Sequence, residues 1–324
     1  MHATRIAFVG AGGVAQRHAS VLGSFEDVEL VGVADLRPEA ASALAARAGC
    51  PAFADLPALL DSAAPDAVYV CVPPFAHGQP ERELVHRKIP FFVEKPLGAG
   101  LEVAEELGAA IARAGLVTAT GYHWRYLDGV RRARELLAAA PARLAVGAWL
   151  DKVPPVPWWT QRERSGGQVV EQATHLLDVM LDLVGDVEHV YAMGARTERP
   201  AFPEADVDDV TAATLRFAGG AVGSLAATAL LPAKARAGLE LVADGLRLEL
   251  TETTLTVQDA AGQEVHEDSG EAKVRVDRAF VDAVRGEGDD VRAPYATALR
   301  THRVACALAE SARRGEPVDL PAAA

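Results

Sequence analysis

Arg5-Ile6-Ala7-Phe8-Val9-Gly10-Ala11-Gly12-Gly13-Val14-Ala15 is a short apolar run that breaks into glycines and reopens as an alanine-rich pattern. It reads as strand, tight turn and helix, and its glycines fit G-x-G-x-x-G/A with Ala15 in the last place. Glycines there let the backbone turn sharply and approach a pyrophosphate, whose charge meets the unpaired N–H groups and dipole of a helix start. A strand-turn-helix without a ligand is the alternative, and Asp35 weighs against it. It closes the second apolar run 20 residues after Ala15, the spacing at which a carboxylate reaches the adenosine ribose hydroxyls. A carboxylate there repels a 2′-phosphate, so NAD is favoured; Arg37, two residues on, offers a counter-charge that leaves NADP open. The expected cofactor residues here are Gly10, Gly12, Gly13, Val14, Asp35 and Arg37.

Outward from this turn, apolar runs alternate with Ala/Leu/Glu-rich helical patterns as far as Gly121, the signature of parallel βαβ units. Strands are expected at Arg5 to Gly10, Val28 to Asp35, Phe53, Ala67 to Val72, Phe91 to Glu94 and Val117 to Gly121. Helices are expected at Val14 to Ser24, Pro38 to Ala48, Leu56 to Ser62, Phe75 to Arg87 and Leu101 to Ala114. After Tyr122 the pattern changes. A helix near Leu127 to Ala139, a strand near Ala142 to Trp149 and a Pro/Trp-rich loop to Ser165 precede a helix over Gln168 to Leu183. Short alternating runs follow from Val187 to His266, with Gly219-Gly220, Asp244-Gly245 and Ala261-Gly262 as tight turns, so hairpins and a largely antiparallel sheet are expected. Helices near Val276 to Arg285 and Pro294 to Arg314 close the chain. The fold class is α/β: a doubly wound parallel sheet over residues 1–121, then an α+β domain with a large open, mainly antiparallel sheet over 122–324.

Composition excludes several classes. At 324 residues, 50% hydrophobic and 24% charged, the chain is long enough for two packed domains. A net charge of -13 gives a phosphate backbone no attractive field, so no nucleic acid partner is expected. No stretch approaches the roughly 20 apolar residues that span a bilayer, so no membrane partner is expected. Cys50, Cys71 and Cys306 are far apart, with no CxxC pair, and read as core thiols of a reducing compartment. The uncharged stretch after Arg5 imitates a secretion signal, but its glycines punctuate it as a nucleotide turn would, so a cytoplasmic location is expected.

Candidate chemistry starts at Glu94-Lys95-Pro96. Lys95 is one of only five lysines and ends the fifth strand, at the rim where open parallel sheets bind ligands. A solvated strand-end lysine is the plainer reading. In the second domain Glu171 and His175 are four apart and Asp178 three further, so on one helix all three share a face. Histidine exchanges protons near neutrality and a carboxylate one turn away orients it, although a solvated His-Glu pair has the same spacing. With one histidine and no second cluster, no metal is expected.

The glycine turn, Val72-Pro73-Pro74 with His77, Glu94-Lys95-Pro96, and Gly166-Gly167 leading to His175 and Asp178 together resemble the glucose-fructose oxidoreductase and inositol dehydrogenase (Gfo/Idh/MocA) family over nearly the whole chain. The resemblance implies a Rossmann domain followed by an α/β domain on an open sheet, and an NAD(P)-dependent dehydrogenase or reductase of a secondary alcohol or ketone in a sugar, cyclitol or related polyol. It implies that Lys95 holds the reacting oxygen, that His175 transfers the proton, and that Pro73 and His77, with Glu94 and Lys95, lie on the cofactor side. Glu171 stands where many relatives carry aspartate, so it is expected as a substrate ligand or partner of His175. Trp158-Trp159 replaces a common Trp-Arg pair; Tyr122, Arg125, Trp159 and Arg162 are candidate substrate contacts, with interface packing as the alternative for the tryptophans. Relatives associate through the C-terminal sheet, which implies a homodimer or homotetramer. Two other classes stay open: a hydrolase or epimerase that uses bound NAD transiently, and a non-catalytic Rossmann sensor.

Overall fold

A computed structural model describes residues 3–321. The chain begins β1 (Thr4–Val9), α1 (Gly13–Leu22), β2 (Val28–Ala34), α2 (Pro38–Ala48), β3 (Ala52–Phe53), α3 (Leu56–Ala63), β4 (Ala67–Val70), α4 (Gln79–Arg87), β5 (Phe91–Val93), α5 (Glu102–Ala114) and β6 (Thr118–Thr120). All six strands pair in parallel, in the order β3-β2-β1-β4-β5-β6. β1, β4 and β5 are almost wholly buried, which is why they read as unbroken apolar runs and not as alternating ones. The strand order reverses between β1 and β4, so the crevice at their carboxyl ends is the ligand position of a doubly wound sheet. The helix expected from Phe75 instead begins as a 3₁₀ turn over Pro74–Ala76, and α4 starts at Gln79, because Gly78 takes a positive φ of 114°.

The second half runs α6 (Asp128–Ala139), β7 (Leu144–Leu150), α7 (Arg162–Ser165), α8 (Gln168–Glu171), α9 (Thr174–Leu183), β8 (Val187–Ala195), β9 (Val210–Phe217), β10 (Val222–Thr228), β11 (Arg236–Ala243), β12 (Leu246–Thr251), β13 (Thr254–Asp259) and β14 (Gly262–Glu267). Then come α10 (Ala272–Arg285), α11 (Tyr295–Arg314) and β15 (Val318–Asp319). Nine strands form one sheet, β14-β13-β12-β11-β7-β10-β9-β8-β15. Burial along β9 and β10 alternates with period two, so one face turns to the core while Met193, Val222 and Leu144 are exposed. α6 and α9 pack against this sheet.

Two features depart from the expected hairpin series. β7 inserts between β10 and β11 and pairs in parallel with β10, so the sheet is mixed. The link from Thr228 to Arg236 carries Pro232 and no tight-turn glycine pair, and without one β11 is free to pair elsewhere. The expected helix over Gln168 to Leu183 is also broken: α8 ends at Glu171 and α9 starts at Thr174.

The chain divides into two compact units. The first holds the described residues up to Gly98, then Glu102–Gly121 and Lys273–Leu299; the second holds Ala99–Leu101, Tyr122–Ala272 and the described residues from Arg300. Lys273–Leu299, late in the sequence, packs with the parallel sheet. Arg278 reaches Asp27 at 2.8 Å, and Asp277 reaches His18.

Candidate functional site

In the first unit the glycine turn is built to be approached. Gly10 has φ 91°, and a Cβ there would collide with the Cys71 carbonyl oxygen, so only glycine allows β1 to pass this close to β4. A Cβ on Gly12 or Gly13 would meet nothing within 4 Å, and α1 starts at Gly13 with its first N–H groups uncommitted to the helix. The open side of this turn fits a pyrophosphate. Asp35 supports the loop through Oδ2, which accepts the Ala11 N–H at 2.8 Å, while Oδ1 accepts the Arg37 N–H at 2.8 Å. The Arg37 side chain is largely exposed, 3.4 Å from Asp35. Val14 is exposed beside the turn and Pro73 is half-buried after β4.

His77 follows β4 with its side chain enclosed, Nδ1 lying 2.5 Å from Glu81 Oε1, and Glu81 Oε2 accepts the Gly78 N–H. Burial favours the neutral Glu81 carboxyl, but His77 and the Gly78 N–H outweigh it and hold the group below the usual range. At the end of β5, Glu94 is buried and its carboxyl lies at about 2: burial opposes ionisation, and the hydrogen bond and charge of His18 with the charges of Arg17 and Lys95 overcome it. Glu94 Oε2 accepts the Lys95 N–H at 3.1 Å, and Lys95 is half-buried, with the Lys95–Pro96 peptide cis.

In the second unit His175 opens α9 inside an aromatic box. Its ring lies 5.9 Å from Trp149 and 6.4 Å from Trp124, both near parallel, and 5.1 Å from His123, edge-on. Tyr122 closes another side at 5.9 Å, its hydroxyl 2.8 Å from Thr174 Oγ1. Burial pushes the Tyr122 phenol well up. The helix is interrupted at Gln172 and Ala173: Glu171 ends α8, and the Trp159 indole Nε1 donates to its Oε2 at 3.0 Å. Trp159 is fully buried with Val207 and Ala229, so it fills a small core of its own.

Arg125, read from sequence as a substrate contact, is buried and donates to both oxygens of Asp178, at 2.8 and 2.9 Å, and to Asp182 at 2.8 Å. Thr301 donates to Asp178 as well, so Asp178 belongs to this clamp. Arg162 is partly exposed and donates through its N–H to Asp206 and through its guanidinium to Asp208. The sequence reading did not single out Trp124 and Trp149 around His175, Glu81 behind His77, or His18 and Asp277 around Glu94. His18 had a signal: with Ala15, Ala19 and Leu22 it lies on the buried stripe of α1, where a charged residue needs a partner. Among the described residues no cluster of three or more His, Cys, Asp or Glu is placed to hold a metal, and no helix is long and apolar enough to cross a membrane.

Two models of one family match the chain, an oxidoreductase family with an NAD-binding Rossmann fold over residues 4–122 and the GFO/IDH/MocA C-terminal domain over 132–251. The chain belongs to the GFO/IDH/MocA family. Among curated relatives, D-glucoside 3-dehydrogenase of Escherichia coli is 31% identical over 56% of this chain and 54% of its own length. The 2,7-anhydro-N-acetylneuraminate hydratase of Mediterraneibacter gnavus is 25% identical over 65% of this chain and 58% of its own. The chain therefore spans just over half the length of each. A solved levoglucosan dehydrogenase, in complex with NADH and levoglucosan, shares the fold with a TM-score of 0.87 over 99% of this chain and 100% of that one, at 21% identity. As a GFO/IDH/MocA oxidoreductase, the protein has an NAD-binding Rossmann unit, and the turn at Gly12 and Gly13 that opens its first helix has room for a close approach.

Proposed function

We propose that this protein is an NAD-dependent dehydrogenase or reductase of a secondary alcohol or ketone on a sugar, cyclitol or related polyol. The observation that carries the reading is Lys95, presented on an ionised, fully held carboxylate at the carboxyl rim of the sheet whose first turn fits the dinucleotide. The relatives named for D-glucoside and levoglucosan support the substrate class. Bound nicotinamide supplies the hydride acceptor or donor. Lys95 holds the substrate oxygen as charge develops on it, and His175, shielded from bulk water by Trp124, Trp149 and Tyr122, takes or returns the hydroxyl proton. Glu171 is held by Trp159 and contributes a substrate hydrogen bond, with Arg162 a further candidate. Pro73 and His77 complete the cofactor side. The internal partners of Tyr122, Arg125 and Trp159 support an indirect role for these three, shaping the surroundings of His175 and Glu171.

Residues 1–121 would carry the cofactor and 122–324 the substrate groups, and a homodimer or homotetramer through the C-terminal sheet, in the cytoplasm, completes the proposal. The test is turnover of D-glucose, methyl glucoside, levoglucosan and myo-inositol with NAD. Lys95→Ala and His175→Ala are each expected to lose at least about 100-fold in kcat with NADH affinity retained. Unchanged turnover in both variants would remove the assignment. The hydratase relative favours one other reading, in which retained NAD is reduced and reoxidised within each turnover. That reading predicts NAD released from denatured protein and no net NADH during reaction.

A further inference from the structure

We infer that His18 is a positioning residue for Lys95: as an imidazolium bridging Asp277 and Glu94 it fixes the carboxylate that anchors the Lys95 backbone, and its deprotonation sets the alkaline limit of turnover. The inference deepens the proposed function and rests on its assignment of Lys95. His18 is fully buried. Its Nδ1 lies 2.6 Å from Asp277 Oδ1 and its Nε2 2.9 Å from Glu94 Oε1. Each ring nitrogen faces a carboxylate oxygen, which only accepts, so both hydrogen bonds form together only when both nitrogens carry protons. The Arg17 guanidinium, 3.0 Å from Nε2, is aimed at the same Glu94 oxygen at 3.2 Å.

The surroundings are otherwise apolar or neutral. Phe92 lies edge-on at 4.9 Å and Tyr69 is tilted at 5.2 Å, while burial holds the Tyr69 phenol and the Cys71 thiol well up and therefore uncharged. The charged groups facing His18 are thus Asp277 from α10, Glu94 after β5 with Lys95 beyond it, and Arg17 from α1 itself. Arg17 and His18 balance Glu94 and Asp277. Removing the imidazolium proton leaves two carboxylates and one arginine in a buried pocket, a costly arrangement. Burial alone would lower the His18 pKa, but Asp277 and then Glu94 raise it to about 9.

The consequence for Lys95 is geometric. The Glu94 carboxylate is held by His18 and Arg17 on Oε1 and by the Lys95 N–H on Oε2. It also rests on Gly121, where any Cβ would collide with both carboxylate oxygens. With His18 neutral, repulsion from Asp277 acts on Glu94 directly and the Lys95 anchor loosens.

The experiment measures kcat against pH for the wild type, Asp277→Asn and Lys95→Ala on the best substrate of the sugar panel, together with the histidine Cε1–H NMR titration of the wild type and His18→Gln. The wild-type rate is expected to fall above about pH 9, and Asp277→Asn, which leaves Lys95 untouched, to move that limb down by about one pH unit with KM for NAD within about twofold. The resonance lost in His18→Gln should titrate in the same range as the limb. A limb that stays in place in folded Asp277→Asn, or a His18 ring that is neutral at pH 7, overturns the inference; the NMR titration decides it alone if that variant does not fold. Wild-type turnover in Lys95→Ala overturns the inference together with the role that the functional reading gives Lys95. Loss of at least about 100-fold in Lys95→Ala with an immobile limb in Asp277→Asn overturns the inference only.

Discussion

Gly10 answers two demands at once, a φ of 91° and a gap too small for a methyl group beside the Cys71 carbonyl. Gly10→Ala should therefore cost at least about 2 kcal/mol, read from the urea midpoint, and abolish measurable NADH binding by energy transfer from tryptophan. An alanine variant of wild-type stability would mean that the turn relaxes. Asp35 braces the Ala11 N–H, and its spacing from the glycine turn predicts a second task at the ribose, repelling a 2′-phosphate. Asp35→Ser keeps an acceptor for the turn and removes the charge, so the affinity ratio of NADPH to NADH should rise roughly tenfold, with exposed Arg37 available to the phosphate. An unchanged ratio in paired titrations would assign discrimination to other residues. The spacing of Gly10, Ala15 and Asp35 was legible because this motif is local: one strand, one turn and one helix generate it.

At the scale of elements, the second unit shows where sequence periodicity loses its force. Glu171, His175 and Asp178 have helical spacing, yet the backbone breaks between α8 and α9. Glu171 then meets Trp159, and Asp178 turns to Arg125, Asp182's partner, and to Thr301 on α11. Trp159→Phe keeps an aromatic ring against Val207 and Ala229 while removing the indole donor and part of the ring volume. It should cost about 1–2 kcal/mol in urea and raise KM for the sugar more than it lowers kcat. A stable variant with unchanged KM would separate Glu171 from the substrate. Arg125 and Tyr122 were visible as polar side chains after β6, but their buried partners lie about 50 residues away, beyond any local pattern.

For the molecule as a whole, the His18 and Glu94 pair makes stability depend on pH on both sides. The His18 pKa rises from 6.5 unfolded to about 9 folded, so its contribution is complete below pH 6.5 and is lost as pH climbs through about 9. Glu94 falls from 4.5 to about 2, so its contribution is complete above pH 4.5 and is lost as pH drops through about 2. Calorimetric Tm should therefore decline on raising pH from 6.5 past 9, and His18→Gln should flatten that decline on a lower plateau. A wild-type Tm constant from pH 6.5 to 9.5 would contradict the charged buried histidine. The contact of His18 with Asp277 also ties α1 to α10, which is part of how Lys273–Leu299 comes to pack with the first unit.

The parallel doubly wound half, the strand-turn-helix around Gly10 to Ala15, the place of Lys95 just past a strand end and the change to an alternating sheet after Tyr122 were all legible in the sequence. All of these follow from short-range periodicity and turn chemistry, where one residue's neighbours in sequence are its neighbours in space. Folding alone revealed that β7 separates β10 from β11, that Arg125 is engaged by Asp178, that a buried histidine on α1 stands beneath Glu94, and that the His175 helix is interrupted. The strand order and the two buried charge pairings are set by contacts between segments dozens of residues apart, where buried charges and strand edges find partners that no local pattern specifies.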